Sequence, residues 1–389
     1  MATEAPSVVV SKASYPTAEG EAVYINDAST IMKGGEAAKA ADYANYFCSY
    51  SYLYHQKQML MDNVRMRAYH SAIMSNKKLF EGKTILDVGT GSGILAMWAA
   101  QAGASKVYAV EFTDMANHAK KLIESNGLAH IVEVIQSSVE DLELPCKVDI
   151  IISEWMGYLL LRESMLDSVI RARDRWMKEG GSMFPSHATM YWSLLSHEND
   201  RENVFSDYCG SMSEWFRFSN DMSQYYNINV TSLSDQFEKE QADYYIHSGI
   251  WTQLGIEHVI GEPVAIKKLN LNTCTLVDAA GVVKTPYDVK IPFPIRISGF
   301  AGWFTVDFKG SETNPVDKVV TLSTGPEAGH THWGQQVFYL RDPIDCSADT
   351  KISGHVEMFR QDKNKRLYMM KVEASVDDEF MMSQAYEIP

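Results

Sequence analysis

Between residues 77 and 186, short apolar runs alternate with amphipathic segments. The runs at 84–88, 107–111, 131–136 and 148–153 have the length and β-branched content of buried strands, and the segments 94–102, 114–126 and 165–178 have helical spacing. That βαβα rhythm predicts a mostly parallel, Rossmann-like α/β sheet with helices on both faces and ligand residues at the carboxyl ends of its strands. Gly180, Gly181 and Pro185 are expected to close it. Upstream, Leu60, Val64 and Ala68 recur at intervals of four in a proline-free stretch from Glu36 to about Asn76, which predicts helices; residues 1–35, rich in Ala, Ser, Thr and Gly, predict a disordered tail. Past Pro185 the rhythm changes. Strand-like runs at 188–195, 273–278, 295–308, 318–324, 335–340 and 351–374, the last broken by the turn-like Gln361 to Lys365, predict an antiparallel barrel or sandwich. The connection from about 200 to 265 is too long to lack a purpose. The domain plan is therefore 1–35, 36–80, 81–186 and 187–389, with an arm at about 200–240 in the last.

The first strand runs into Gly89, Gly91 and Gly93, and the residues after them open a helix. Glycines there permit positive φ and close approach of a ligand to a helix N-terminus. The second strand ends on Glu111, twenty-two residues after Gly89, where a carboxylate can hold ribose hydroxyls. A dinucleotide fingerprint would need glycine at position 94, where Ile94 stands, whereas G-x-G-x-G after Asp87 resembles S-adenosylmethionine-dependent methyltransferases. The loop favours the second cofactor and leaves a dehydrogenase as the alternative.

Charge and cysteines narrow the setting. The 389 residues carry 35 Lys and Arg against 50 Asp and Glu, a formal charge of −15, which argues against direct nucleic-acid binding and fits a basic partner. Five widely spaced cysteines offer no disulfide framework and no C-x-x-C zinc signal. Neither a secretory nor a mitochondrial leader fits the N-terminus, and no apolar run approaches the roughly 20 residues of a membrane helix. The expectation is a protein of nucleus and cytoplasm with no metal and no membrane contact.

Residues 153–164, Ser-Glu-Trp-Met-Gly-Tyr-Leu-Leu-Leu-Arg-Glu-Ser, place Glu154 and Glu163 around an apolar stretch at the end of the fourth strand. Carboxylates so placed need a cation, and a planar guanidinium that forks two hydrogen bonds meets the need. This motif resembles the double-E hairpin of protein arginine N-methyltransferases. Thr331-His332-Trp333 resembles their THW loop, Tyr46-Phe47-x-x-Tyr50 their YFxxY motif, and Asp87 to Gly93, Glu111 and Ser138-Val139-Glu140 their remaining cofactor motifs in order. The resemblance covers about residues 43–389, and the insertion and tail suggest the plant-specific subclass.

The resemblance implies methyl transfer from S-adenosylmethionine to an arginine nitrogen, leaving S-adenosylhomocysteine, with Glu154 and Glu163 clamping the guanidinium. It implies that Arg65 pairs with the cofactor's methionine carboxylate and that Glu111 holds the ribose. Val139 and Glu140 would border the adenine. Asp87, Gly89 and Gly91 would bind the cofactor, the glycines leaving room for it, and Tyr46, Phe47 and Tyr50 would form a lid over it. His332 with Asp62 would relay a proton or brace the pocket. The family's cofactor-contacting histidine falls, by count, on Gln56, with His55 one place earlier. Met59 and Met165 match the methionines of type I enzymes, which implies monomethylarginine and then asymmetric dimethylarginine. The insertion falls where the family carries a dimerisation arm, so Trp215, Phe216 and Phe218 imply a homodimer. Histone tails and Arg-Gly-rich proteins are the implied substrates. The alternatives are a catalytically silent scaffold for arginine-rich proteins, a different product type, and a methyltransferase of small molecules or nucleic acid.

Overall fold

The computed structural model describes residues 14–16, 22–24, 50–362 and 364–388. Tyr46 and Phe47 lie outside them, as does most of the expected tail; within the tail, β1 (Ser14–Pro16) and β2 (Ala22–Tyr24) pair antiparallel.

Two helices, α1 (Leu53–Met61) and α2 (Asn63–Met74), precede the parallel sheet. Asp62 between them caps the second by accepting the Arg65 N–H at 2.9 Å. The sheet contains β3 (Thr84–Val88), β4 (Lys106–Glu111), β5 (Val132–Gln136), β6 (Val148–Ser153) and β7 (Met177–Phe184) in the order β5-β4-β3-β6-β7, all parallel. Helices Ile94–Gln101, Met115–Ser125 and Leu166–Trp176 follow strands as the periodicity predicts. The chain leaves β3 toward β4 on one side and returns to β6 on the other, so the ligand crevice of such a sheet opens between the ends of β3 and β6. Gly180 and Gly181 do not close the domain. They lie inside β7, where a Cβ on Gly181 would come 2.9 Å from the Asp149 carbonyl of the neighbouring strand.

The second half is antiparallel. β8 (His187–Leu195), β9 (Ile250–Thr252) and β10 (Val259–Asn270) share a sheet with β12 (Ile295–Gly310), β13 (Pro315–Ser323) and β14 (Gln335–Cys346). β11 (Gly281–Lys290), β15 (Lys351–Arg360), β16 (Tyr368–Val376) and β17 (Glu379–Ile388) form a four-stranded sheet. Rings from the two sheets meet between them, Tyr287 on Phe300 and Phe338 on Tyr386. The barrel expected from the sequence takes the form of these two facing sheets; among the described residues no continuous ladder closes them, and an isolated bridge joins Ser248 to Glu387. The run 273–278 is not a strand: Thr275 and Asp278 form a capping box that starts the short helix Leu276–Ala279.

The long insertion is a helical hairpin. Helix Glu198–Tyr226 turns back through Ser234–Tyr245, and Trp215 fastens the two by stacking on Phe237 and donating its Nε1–H to Ser234 Oγ at 2.9 Å. Trp215 is therefore spent inside the hairpin, while Phe216 and Phe218 remain exposed. At its root, Arg201 donates to the Leu340 carbonyl at 2.7 Å and to the Arg341 carbonyl. No described helix is long and apolar enough to cross a membrane.

Candidate active site

The glycine loop adopts the conformation its spacing predicts: Gly89, Gly91 and Gly93 have φ of 70°, 53° and 84°, all left-handed. A Cβ on Gly89 would come 2.4 Å from Met165 Cε, and one on Gly91 would come 2.9 Å from Gln56 Oε1, so these two side chains press on the loop. Glu111 ends β4 buried, accepting the Gly91 N–H at 2.9 Å and the Thr113 N–H and hydroxyl at 2.9 and 2.8 Å. Asp87 stands behind the loop and does not border the crevice. Its Oδ2 takes the Thr90 hydroxyl at 2.5 Å and the Ala96 N–H at 3.1 Å, while Oδ1 has no partner. Burial pushes its carboxyl up to about 7 against those two hydrogen bonds, with the Glu111 charge adding to the rise.

The crevice holds a cavity of about 260 Å³ bordered by Gln56, Met59, Arg65, Gly89, Gly91, Glu111, Val139, Glu140, Glu154, Glu163, Met165 and His332. An outer cavity of about 800 Å³ shares Tyr50, Met59, Glu163 and His332 with it. Gln56 is buried toward the inner cavity, and His55 is exposed toward the outer one. Glu140 lies at the rim, its carboxylate accepting the Ser168 hydroxyl at 2.9 Å.

Both glutamates of the hairpin reach the inner cavity, but neither stands bare. Arg65 donates from Nε at 3.1 Å and approaches from Nη2 at 3.0 Å to the same Glu154 oxygen, with side-chain exposures of only 8% and 10%. A carboxylate this enclosed requires a cation, and Arg65 supplies it from the wall of the cavity. Glu163 accepts the Tyr50 hydroxyl at 2.9 Å. Leu159, Leu160, Glu163 and Ser164 all have left-handed φ, a backbone strain of about 1 kcal/mol or more each, concentrated where the carboxylates are aimed.

Contacts from the antiparallel half hold that strain in place. The Glu163 N–H donates to the Arg366 carbonyl at 3.0 Å, Ser164 Oγ to the Lys365 carbonyl at 2.7 Å, and Trp333 Nε1–H to the Met156 carbonyl at 2.7 Å. His332 Nδ1 lies 2.7 Å from Asp62 Oδ2, which also accepts the His332 N–H at 3.0 Å. Burial acts to raise the Asp62 carboxyl, but the hydrogen bonds from His332 and the Arg65 N–H outweigh it and hold it below 3.8, so it is ionised. Tyr158, Thr113, Arg162, Trp251 and His330 border one or other cavity and escaped the sequence reading. Tyr158 and Arg162 had a signal, their place within the glutamate motif, and His330 had one in standing directly before Thr331-His332-Trp333; Trp251 had none.

Residues 202–379 match the family model of the arginine methyltransferase oligomerization subdomain, and residues 66–184 match that of the ribosomal protein L11 methyltransferase (PrmA). The chain is 47% identical to protein arginine N-methyltransferase PRMT10 of Arabidopsis thaliana over 349 residues, 89% of this chain and 91% of the relative. The chain belongs to the protein arginine N-methyltransferases. The protein of the same name from Oryza sativa subsp. japonica is 50% identical over 88% of this chain and 91% of its own. The crystal structure of Arabidopsis thaliana protein arginine methyltransferase 10, described as uniquely open, superposes with a TM-score of 0.86 at 45% identity, covering 88% of this chain and 100% of that one. The Trypanosoma brucei PRMT1 enzyme-prozyme heterotetrameric complex with AdoHcy has a TM-score of 0.73 at 27% identity, covering 88% and 100%.

The activity of this arginine methyltransferase family is S-adenosylmethionine-dependent methylation of arginine. The residues fit that cofactor. The three left-handed glycines keep the loop free of side chains, and Glu111 borders the cavity at the end of β4.

Proposed function

We propose that this arginine methyltransferase is of type I, forming monomethylarginine and then asymmetric dimethylarginine on arginine-rich proteins such as histone tails and Arg-Gly-rich chains. The observation that carries the mechanism is the convergence of Glu154, Glu163 and His332 on one cavity. S-adenosylmethionine supplies an electrophilic methyl group on its sulfonium sulfur. Gln56, Arg65, Gly89, Gly91, Glu111, Val139 and Glu140 would hold it, with Tyr50 and the undescribed Tyr46 and Phe47 as a lid. Glu154 and Glu163 would grip the guanidinium and draw its charge toward one end, restoring nucleophilic character to the free nitrogen. Asp62, ionised, fixes His332 through Nδ1 and leaves Nε2 to accept or brace a proton.

Product type rests on Met59 and Met165, both bordering the inner cavity, whose bulk would disfavour a second methyl on the opposite nitrogen. The match to an oligomerization subdomain and the exposed rings of the hairpin support a homodimer formed through it. A location in nucleus and cytoplasm is part of the same reading.

The deciding experiment uses methyl-labelled S-adenosylmethionine, an arginine-rich histone-tail peptide, and separation of the methylarginines after hydrolysis. Asymmetric dimethylarginine is expected, with kcat falling at least about a hundredfold in Glu154→Gln because a transition-state charge contact is lost. Symmetric product would reject the type I reading. Cofactor binding with no methylation of any arginine-rich substrate would reject turnover altogether.

A further inference from the structure

One large aromatic on the outer cavity serves neither the cofactor nor the guanidinium clamp. Trp251 stands on β9, just past the helical hairpin, and β9 pairs with β14 through Trp251 and Gln336. Its Nε1–H donates to the His332 carbonyl at 3.3 Å. Gly334, with φ of 52°, lies against the indole, where a Cβ would come 2.8 Å from Nε1. Two residues on, Gln253 Nε2 donates to the Thr331 carbonyl at 2.5 Å. Both carbonyls of the loop that presents His332 are thus taken from β9 and the residue after it, so the indole edge is fixed.

The residue as a whole stays accessible. Trp251 is 43% exposed, and it borders the outer cavity together with Tyr158 and His330, on the same side as Glu163. A rigid aromatic face beside a binding cavity is a preorganised wall. It gives up little conformational entropy when a ring or apolar group settles on it. With the arginine head in the inner cavity, as the proposed function has it, the chain on either side of that arginine would leave through the outer one.

We propose that Trp251 is a substrate-positioning residue: its exposed face receives the aromatic or apolar side chain of a residue next to the target arginine. This rests on the arginine-methylating reading and adds a preference for neighbouring side chains. Stacking on a fixed indole favours such a neighbour by about tenfold in affinity.

The test compares two peptides that differ only in the neighbours of one arginine, Phe or Ser, with acetyl-arginine amide as a substrate that lacks neighbours. Steady-state KM and kcat are read for each, and calorimetry reads peptide affinity in the presence of S-adenosylhomocysteine. The wild type should bind the Phe peptide about tenfold more tightly than the Ser peptide. In Trp251→Ala that difference should vanish, and any fall in kcat from the lost His332 contact should be the same on all three substrates. Trp251→Phe, which keeps a ring but loses the Nε1–H, should retain most of the preference. Trp251→Gln gives the same readout if the alanine variant unfolds. An equal fall in kcat on all three substrates, with the preference intact, would show that Trp251 only braces His332 and would overturn the proposal. So would an undiminished preference in Trp251→Ala. Failure of the wild type to methylate anything would count against the activity reading instead, and the calorimetric comparison would still decide the role of Trp251.

Discussion

Asp87 carries a motif identity that its environment reinterprets. A carboxylate before a glycine loop reads as a ligand contact, yet the fold buries it behind the loop with one oxygen unpartnered. Its folded pKa of about 7 lies above its ordinary 3.8, so the native state binds a proton that the unfolded chain releases. The stability this contributes is complete below 3.8 and is lost as pH rises through about 7. Asp87→Asn keeps an acceptor for Thr90 and Ala96 and cannot ionise. Thermal unfolding should therefore show a falling component of wild-type Tm between about pH 4 and 7 that the variant lacks; parallel curves would sink this account. Arg65 teaches a similar lesson. Its place on the cavity wall follows from helical spacing, but its ion pair with Glu154 spans 89 residues of chain and has no local signature.

At the scale of elements, the core of the parallel sheet was legible because its interior strands are short, mainly apolar runs, interrupted inside their ends only by Asp87 in β3 and Asp149 in β6. Two of the strands that the pattern missed break alternation for identifiable reasons. β10 contains Gly261 and Pro263 and is bulged twice against β8, which shifts its side-chain phase. β11 carries Pro286 and pairs only with β15, an edge position where a missing N–H is tolerated. The insertion was expected as an arm, and its hairpin form depends on Trp215 finding Phe237, a contact across the turn. Phe216, 68% exposed on that hairpin, has no partner ring within the chain's described stacking contacts. If a second copy covers it, Phe216→Glu should yield monomers in sedimentation while leaving far-ultraviolet circular dichroism unchanged. A variant that remains as assembled as the wild type would place the interface elsewhere.

Over the whole molecule, the charge of −15 surrounds a site built to take a guanidinium. Long-range attraction of a basic peptide is screened within about 8 Å at physiological ionic strength. The KM for an arginine-rich tail should rise several-fold from low to high salt, and KM for acetyl-arginine amide, with no charged flanks, should change far less. Equal salt dependence would remove the steering argument.

The sequence by itself determined the core of the parallel sheet, the left-handed glycine loop, the acids at or just past the ends of β4 and β6 and a long insertion after β8, because each is written in neighbouring residues through spacing and propensity. Strand ends in such a sheet converge by topology, which brought Gly89, Gly91, Glu111 and Glu154 to one crevice, whereas Gln56, Met59, Arg65 and His332 were reached through the resemblance of their motifs. Tertiary structure alone decided how these residues act on one another. The pairing of Glu154 with Arg65, the support of the strained Glu163 turn by residues about 365 and 366, and the placing of Trp251 beside His332 join segments remote in the chain. Such contacts arise from packing two halves of the molecule, and no local pattern encodes which buried charge will meet which.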